Sequence, residues 1–233
     1  NGKKIDFIIC DHHRPGEMIP EAVAVLDPKR SDCQYPFKEL SGCGIGFKLV
    51  QAFALKHDIP FEDLLPYLDL VAVSTAADIV PITGENRVLT FFGLNWLNAN
   101  PRPGIQAILE LTNVKKRLTV SDIVFIIGPR INAAGRMQDA RQAVELLISA
   151  NKEDALNEGR KTNDTNLERR SVDSSITEHA YRMIDDDELH HARKTTVLFH
   201  PEWHKGVIPT VSSRLTDKYY GPTIILTESN GMA

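Results

Sequence analysis

Short, strongly apolar runs alternate along this chain with longer segments of helical period, and few architectures accept that alternation. Ile5-Asp6-Phe7-Ile8-Ile9-Cys10 reads as a buried parallel strand, and Ala22 to Leu26 as a second. Thr195 to Phe199 and Thr223 to Leu226 read as two more. Between them, Ser41 can cap a helix whose apolar positions Ile45, Phe47, Leu49, Val50, Phe53 and Ala54 keep helical spacing. Asp63 to Ala76, Asn86 to Asn98, Gly104 to Leu111, Ser121 to Ile127, Asp139 to Ala150 and Gly206 to Lys218 also read as helices. The expected class is α/β, with an open, mostly parallel sheet.

From Lys152 to Ile184 the character changes to a long, charged segment almost free of large apolar side chains. It reads as one exposed helix of the kind that bridges two domains. The expected organisation is therefore a domain over 1–150, a connecting helix over 151–188, and the start of a smaller α/β unit over 189–233. Both ends of the chain fall on core strands, which suggests a piece of something longer.

Composition narrows the class. At 42% hydrophobic and 25% charged, the 233 residues suit an ordinary globular protein. No apolar run approaches the roughly 20 residues a membrane helix needs, and the N-terminus lacks a signal-peptide pattern. No membrane association is expected. Cys10, Cys33 and Cys43 form no CxxC pair, which favours reduced thiols and a cytoplasmic location. The net charge of −4 counts against a protein that coats duplex nucleic acid. It is neutral about an enzyme that needs acidic metal ligands and a local basic lining.

Four blocks carry chemistry. Asp11-His12-His13 follows the first strand, where ligands gather in open α/β sheets. That donor set suits a divalent ion such as Mn²⁺, or else forms a polar turn with a hydrogen-bonded histidine pair. Asp78 follows a run so apolar that its carboxylate should be metal-bound, paired or a helix cap. In Pro129 to Arg136, Arg130, Asn132 and Arg136 stand among small residues, so that guanidinium groups can clamp phosphate, or lie solvated on a surface loop. His200 to Gly206 sets Trp203 beside His204 and Lys205, either to stack a base or as a core tryptophan with incidental histidines. His190-His191 reads as a solvated pair.

Together these blocks resemble DHH phosphoesterases of the RecJ type. Ile8 to His13 with Pro15, then Asp27-Pro28-Lys29-Arg30-Ser31-Asp32-Cys33, match the signature segment. Leu40 to Gly44, Asp69 to Pro81 with Glu85-Asn86-Arg87, Arg102 to Ile105, Gly128 to Arg136 and His200 to Val207 continue the order from about residue 5 to 227. The resemblance implies a DHH domain and a DHH-associated domain joined by a long helix around a cleft. It implies metal-dependent phosphodiester hydrolysis with Mn²⁺ or Mg²⁺, acting 5′→3′ on single-stranded DNA in repair and recombination. A single-strand-binding protein or a helicase would be a further partner.

By the same resemblance His12, Asp78 and Asp11 are metal ligands, Asp11 alternatively orienting His12, and His13 faces the scissile phosphate. Arg130, Asn132 and Arg136 contact phosphates, and Trp203 and His204 line the cleft. The family's first two acidic motifs, expected upstream of Asp11, are absent here, so the ligand set is incomplete within the chain. Pro209 stands where the family pattern has glycine, Thr210 where it has an aliphatic residue, and Gly221 where it has arginine. The alternatives are a DHH phosphoesterase acting on short oligonucleotides or cyclic dinucleotides, and a non-catalytic nucleic-acid-binding module.

Overall fold

The structure is a computed structural model that describes residues 5–137, 139–189 and 193–232. The His190-His191 pair lies outside the described residues. The chain divides into two compact units, one ending at Pro129 and the other starting at Arg130.

In the first unit β1 (Ile8–Cys10) pairs in parallel with β2 (Ala24–Leu26), Ile8 opposite Ala24 and Cys10 opposite Leu26. The parallel pairing agrees with the sequence reading; the burial does not. Phe7, Ile8 and Val23 are each more than half exposed, because the sheet they join has only two strands among the described residues.

Helix α1 (Gly42–Lys56) starts as read, with Ser41 Oγ accepting from the Gly44 N–H at 3.2 Å. Ile45, Phe47 and Ala54 turn inward, while Val50 and Phe53 are exposed. The single helix expected over 63–76 is two elements. A 3₁₀ segment, Phe61–Tyr67, contains Pro66, and α2 (Leu68–Ala77) begins just after it. Proline has no N–H to continue the ladder, so the winding changes there.

Helix α2 is buried through Leu68, Asp69, Val71, Ala72, Val73, Thr75 and Ala76. Such an all-round apolar helix belongs at the centre of a unit. Its closest neighbour is α3 (Gly84–Ala99). A Cβ at Gly93 would overlap the Leu68 carbonyl oxygen and stand 2.8 Å from Ala72 Cβ, so only glycine lets the two backbones approach this closely. The carboxylate of Asp69, 1% exposed, accepts from Arg102 Nε and Nη2, both at 2.6 Å. That fork fixes the start of α4 (Pro103–Leu111) against α2. Ser121 to Ile127, expected as one short helix, is a single turn α5 (Val120–Asp122) running into a π-helical turn, Ile123–Ile127.

The second unit contains most of α6 (Gly128–Met137), then α7 (Arg141–Ile148) and α8 (Lys152–Asp185). At 34 residues α8 is about 50 Å long. It was expected to be exposed, yet it buries a seam: Ala155, Gly159, Thr162, Thr165, Asn166, Asp173, Ile176, Thr177, Ala180 and Ile184. Its buried threonines satisfy themselves. Thr162, Thr165 and Thr177 each donate to the carbonyl four residues back, at 2.9, 3.0 and 2.7 Å. Strands β3 (Thr196–Phe199) and β4 (Thr223–Leu226) pair in parallel around α9 (Ile208–Tyr219), and Pro209 is tolerated in its first turn. Ile176, Ala180, Leu198, Trp203, Val207, Val211 and Leu215 form the core. Among the described residues no helix is long and apolar enough to cross a membrane.

Two outcomes follow from this packing. Gly93→Ala forces α2 and α3 apart and costs about 2 kcal/mol, read as a lower denaturant midpoint at unchanged m-value. Asp122 accepts from Thr119 and pairs with Lys116 Nζ at 2.8 Å. Lys116 first, then the Thr119 hydroxyl and N–H, hold its carboxyl down at about 2 against the usual 3.8. A depressed folded pKa gives stability that is full above the unfolded value and is lost as pH falls through the folded one. Asp122→Asn therefore lowers Tm at pH 6, and its gap from wild type closes between pH 4 and pH 2.

Candidate functional site

The polar triplet leaves the carboxyl end of β1, and the Asp11 N–H still donates to the Leu26 carbonyl at 3.0 Å. Asp11 Oδ1 then accepts from the N–H groups of His12 (2.7 Å) and His13 (3.2 Å) and lies 2.8 Å from His13 Nδ1. One carboxylate oxygen thus ties the turn together. Its bonds to His13, side chain first, hold the Asp11 carboxyl below the usual range. This corrects one expectation. Asp11 takes the His12 backbone N–H, but the ring it orients is that of His13.

The His12 ring turns the other way. Its Nε2 lies 3.0 Å from Asp78 Oδ2, with the His12 side chain only 13% exposed. Residues 66 positions apart are therefore brought together. Asp78 occupies the C-cap of α2, so the buried helix aims it. The next residue, Ile79, has φ +57° and is 84% exposed. A β-branched residue in the left-handed region costs about 1–2 kcal/mol, and strain of this kind concentrates at functional sites.

A carboxylate oxygen and an imidazole nitrogen at this distance need a positive centre between them, either a proton or a cation. His12 Nδ1 is buried with no hydrogen-bond partner. An imidazole nitrogen and a carboxylate are donors that a borderline-hard divalent cation accepts. The pair fits part of such a site. Among the described residues no group of three or more His, Cys, Asp or Glu converges in a metal-holding arrangement. The donors stand instead as two pairs, His12 with Asp78 and Asp11 with His13.

Cys43 is not poised as a nucleophile. Burial chiefly, with help from Asp69 and opposition from Arg102, pushes its thiol up to about 11. The neutral thiol is a poor nucleophile at ordinary pH.

In the second unit Arg130 to Arg136 lie on α6, a helix and not a surface loop, with Ala133 and Ala134 fully buried beneath them. Arg130 Nε donates to Asn163 Oδ1 at 3.0 Å, and Arg136 Nη1 to Thr210 Oγ1 at 3.0 Å. Asn132 is exposed. A Cβ at Gly206 would overlap the Arg136 carbonyl oxygen, so that glycine lets the two segments touch. His204 Nδ1 accepts from the Gly206 N–H at 3.1 Å. Trp203 needs correction as a stacking surface: at 5% exposure it is a core residue, its Nε1 donating to His179 Nδ1 at 3.3 Å.

Three arginines not expected at the site join Arg130 and Arg136. Arg169 feels the charges of Asp173, Arg136, Arg170 and Arg214, and burial first of all lowers its pKa. Burial, then Arg170, does the same to Arg130. Arg214 Nη2 pairs with Asp173 Oδ2 at 2.8 Å. The buried carboxylate of Asp173 thus pairs with Arg214 of α9 and acts on Arg169 of its own helix, which also feels Arg136 of α6. Arg169-Arg170 was visible in the sequence, but only as charge on a polar helix.

Known proteins share sequence and fold with this chain. Residues 1–75 match the model for the DHH family, N-terminal domain. The single-stranded-DNA-specific exonuclease RecJ of Salmonella typhimurium is 35% identical over 94% of this chain and 40% of its own length. That of Bacillus subtilis is 37% identical over 98% and 28%. The chain thus spans less than half of these relatives. Among solved structures, exonuclease RecJ bound to manganese superposes with a TM-score of 0.81 at 28% identity, over 97% of this chain and 56% of that one. RecJ of Thermus thermophilus in complex with Mn²⁺ gives 0.83 at 28% identity, over 97% and 33%. Over residues 1–75 the α/β chain with its DHH turn thus matches the DHH family, and over nearly all of its length it is similar to RecJ proteins.

Proposed function

We propose that this chain carries part of the catalytic machinery of a metal-dependent exonuclease that degrades single-stranded DNA 5′→3′ in repair and recombination. The observation that carries the reading is the 3.0 Å approach of His12 Nε2 to Asp78 Oδ2 at the end of a parallel strand. His12 and Asp78 would hold Mn²⁺ or Mg²⁺, with Asp11 as a further ligand through the oxygen His13 leaves free. A divalent ion supplies, when bound, an activated water and charge neutralisation at the phosphate. His13, its side chain 78% exposed and braced by Asp11, faces the scissile phosphate. Arg130, Asn132 and Arg136, with Arg169, Arg170 and Arg214, hold backbone phosphates by charge-assisted bonds. His204, whose Nδ1 accepts from the Gly206 N–H, would line the cleft. The natural setting is the cytoplasm, with a single-strand-binding protein or helicase delivering the strand.

One observation favours a second reading, that this chain alone binds nucleic acid without cleaving it. Only pairs of ligand side chains converge among the described residues.

Calorimetric titration with Mn²⁺ separates the two. Wild type binds the ion, and Asp78→Ala loses at least about 100-fold in affinity, since ligands beyond direct contact already cost 10–100-fold. Equal, weak binding by both proteins establishes the non-catalytic reading. In the full-length protein, 5′-labelled long single strands are shortened faster than dinucleotides or cyclic dinucleotides. The reverse order assigns it to the small-substrate phosphoesterases.

A further inference from the structure

The corrected position of Trp203 exposes a feature that the hydrolytic site does not use. A cleft of about 420 Å³ opens in the second unit between α8 and the turn after β3. Ser171, Ser175 and His179 line it from α8, and His200, Glu202 and the edge of Trp203 from the turn, over an aliphatic floor that includes Ile176. His179 and His200 meet edge to face with ring centroids 4.8 Å apart, and His200 stacks on Trp203 at 5.5 Å.

The hydrogen bonds set both tautomers. An indole N–H only donates, so His179 Nδ1, 3.3 Å from Trp203 Nε1, is the bare acceptor. The Glu202 N–H donates to His200 Nδ1 at 3.3 Å in the same way. Each ring therefore presents its N–H at Nε2. Neither Nε2 has a hydrogen-bond partner among the described residues. The cleft thus offers two N–H donors, two serine hydroxyls, one carboxylate acceptor and aromatic surface.

That set discriminates among ligands. A metal ion is disfavoured, because both Nε2 atoms are protonated and no third ligand side chain converges with them. A phosphate is disfavoured by the carboxylate of Glu202 at the rim. An unpaired nucleobase matches: it is uncharged, has apolar faces, and carries both acceptors and donors along its edge.

We propose that this cleft binds one unpaired nucleobase of a single strand, His200 contributing the stacking face and Glu202 accepting from the base's amino or imino hydrogens. The proposal rests on the single-strand reading above and adds to it a contact that reads bases in place of phosphates. The chemistry would be shared by a base within a strand and by a free nucleoside.

Fluorescence anisotropy on the full-length protein in EDTA, which prevents cleavage, tests it. The probes are a dye-labelled single strand and an abasic strand of equal length. His200→Ala weakens binding of the base-bearing strand about 5- to 10-fold, in line with the loss of one stacking contact, and leaves the abasic strand unaffected. Ser175→Ala, at an exposed position that leaves the core intact, moves affinity in the same selective direction. Free deoxyguanosine competes for the base-bearing strand only if the cleft also accepts nucleosides, and quenches Trp203 emission in a Trp96→Phe background. Equal losses on both strands, or no loss on either, overturn the base site. Wild type that binds both strands equally tightly overturns it while sparing the single-strand reading. Wild type that binds neither strand brings down both.

Discussion

Burial of α2 on every side is the constraint from which the first unit is built. A helix without a solvent face cannot rotate or slide unless its neighbours move, because packed interiors shift in discrete steps. Gly93 brings α3 against its backbone, the Asp69–Arg102 fork fastens α4, and a hydroxyl contact of 3.3 Å links Thr75 to Ser41 at the start of α1. The far end of this fixed rod is Asp78. A carboxylate placed there has a defined position relative to β1, and His12 is met at hydrogen-bonding distance without any sequence proximity.

Much of this was legible in the residues, and the failures have identifiable causes. The strand pairs, the Ser41 cap and the boundaries of α3, α4 and β4 followed from apolar period and cap chemistry, which act locally. The approach of His12 to Asp78 was reached through the order of the blocks; no local rule gives it. Burial was the weakest inference. Phe7 and Ile8 look like core residues because their neighbours are apolar, yet exposure depends on how many strands flank them. The seam of α8 failed in the opposite direction. Threonine counts as polar in any hydropathy scan, and a hydroxyl bonded to its own helix is polar no longer. The tryptophan was ambiguous from the start, since an aromatic ring beside histidines serves a core and a binding face equally well.

Charge tells a similar story. A net charge of −4 gives no sign of an anion-binding surface, and Arg130 and Arg136 alone are a thin one. The basic character comes from arginines that α6, α8 and α9 each deliver, close enough for Arg169 to feel Arg136, Arg170 and Arg214, and that concentration is a property of the packing. The buried carboxylate of Asp173 offsets part of their mutual repulsion by pairing with Arg214 and by its charge on Arg169. Each still gains by meeting a further anion. Local electrostatics therefore run opposite to the average of the chain.

The threonine seam gives α8 an unusual mechanical character. Its inner face adheres by fitted outline, with few large oily side chains to hold a particular phase. For an ordinary amphipathic rod, a small twist about its axis carries greasy groups into water and is resisted by solvation. Along this seam the same twist is resisted instead by steric interlocking and by single polar ties, Arg130 to Asn163, Arg214 to Asp173 and Trp203 to His179, so that the rod's phase is held at points and not along a stripe.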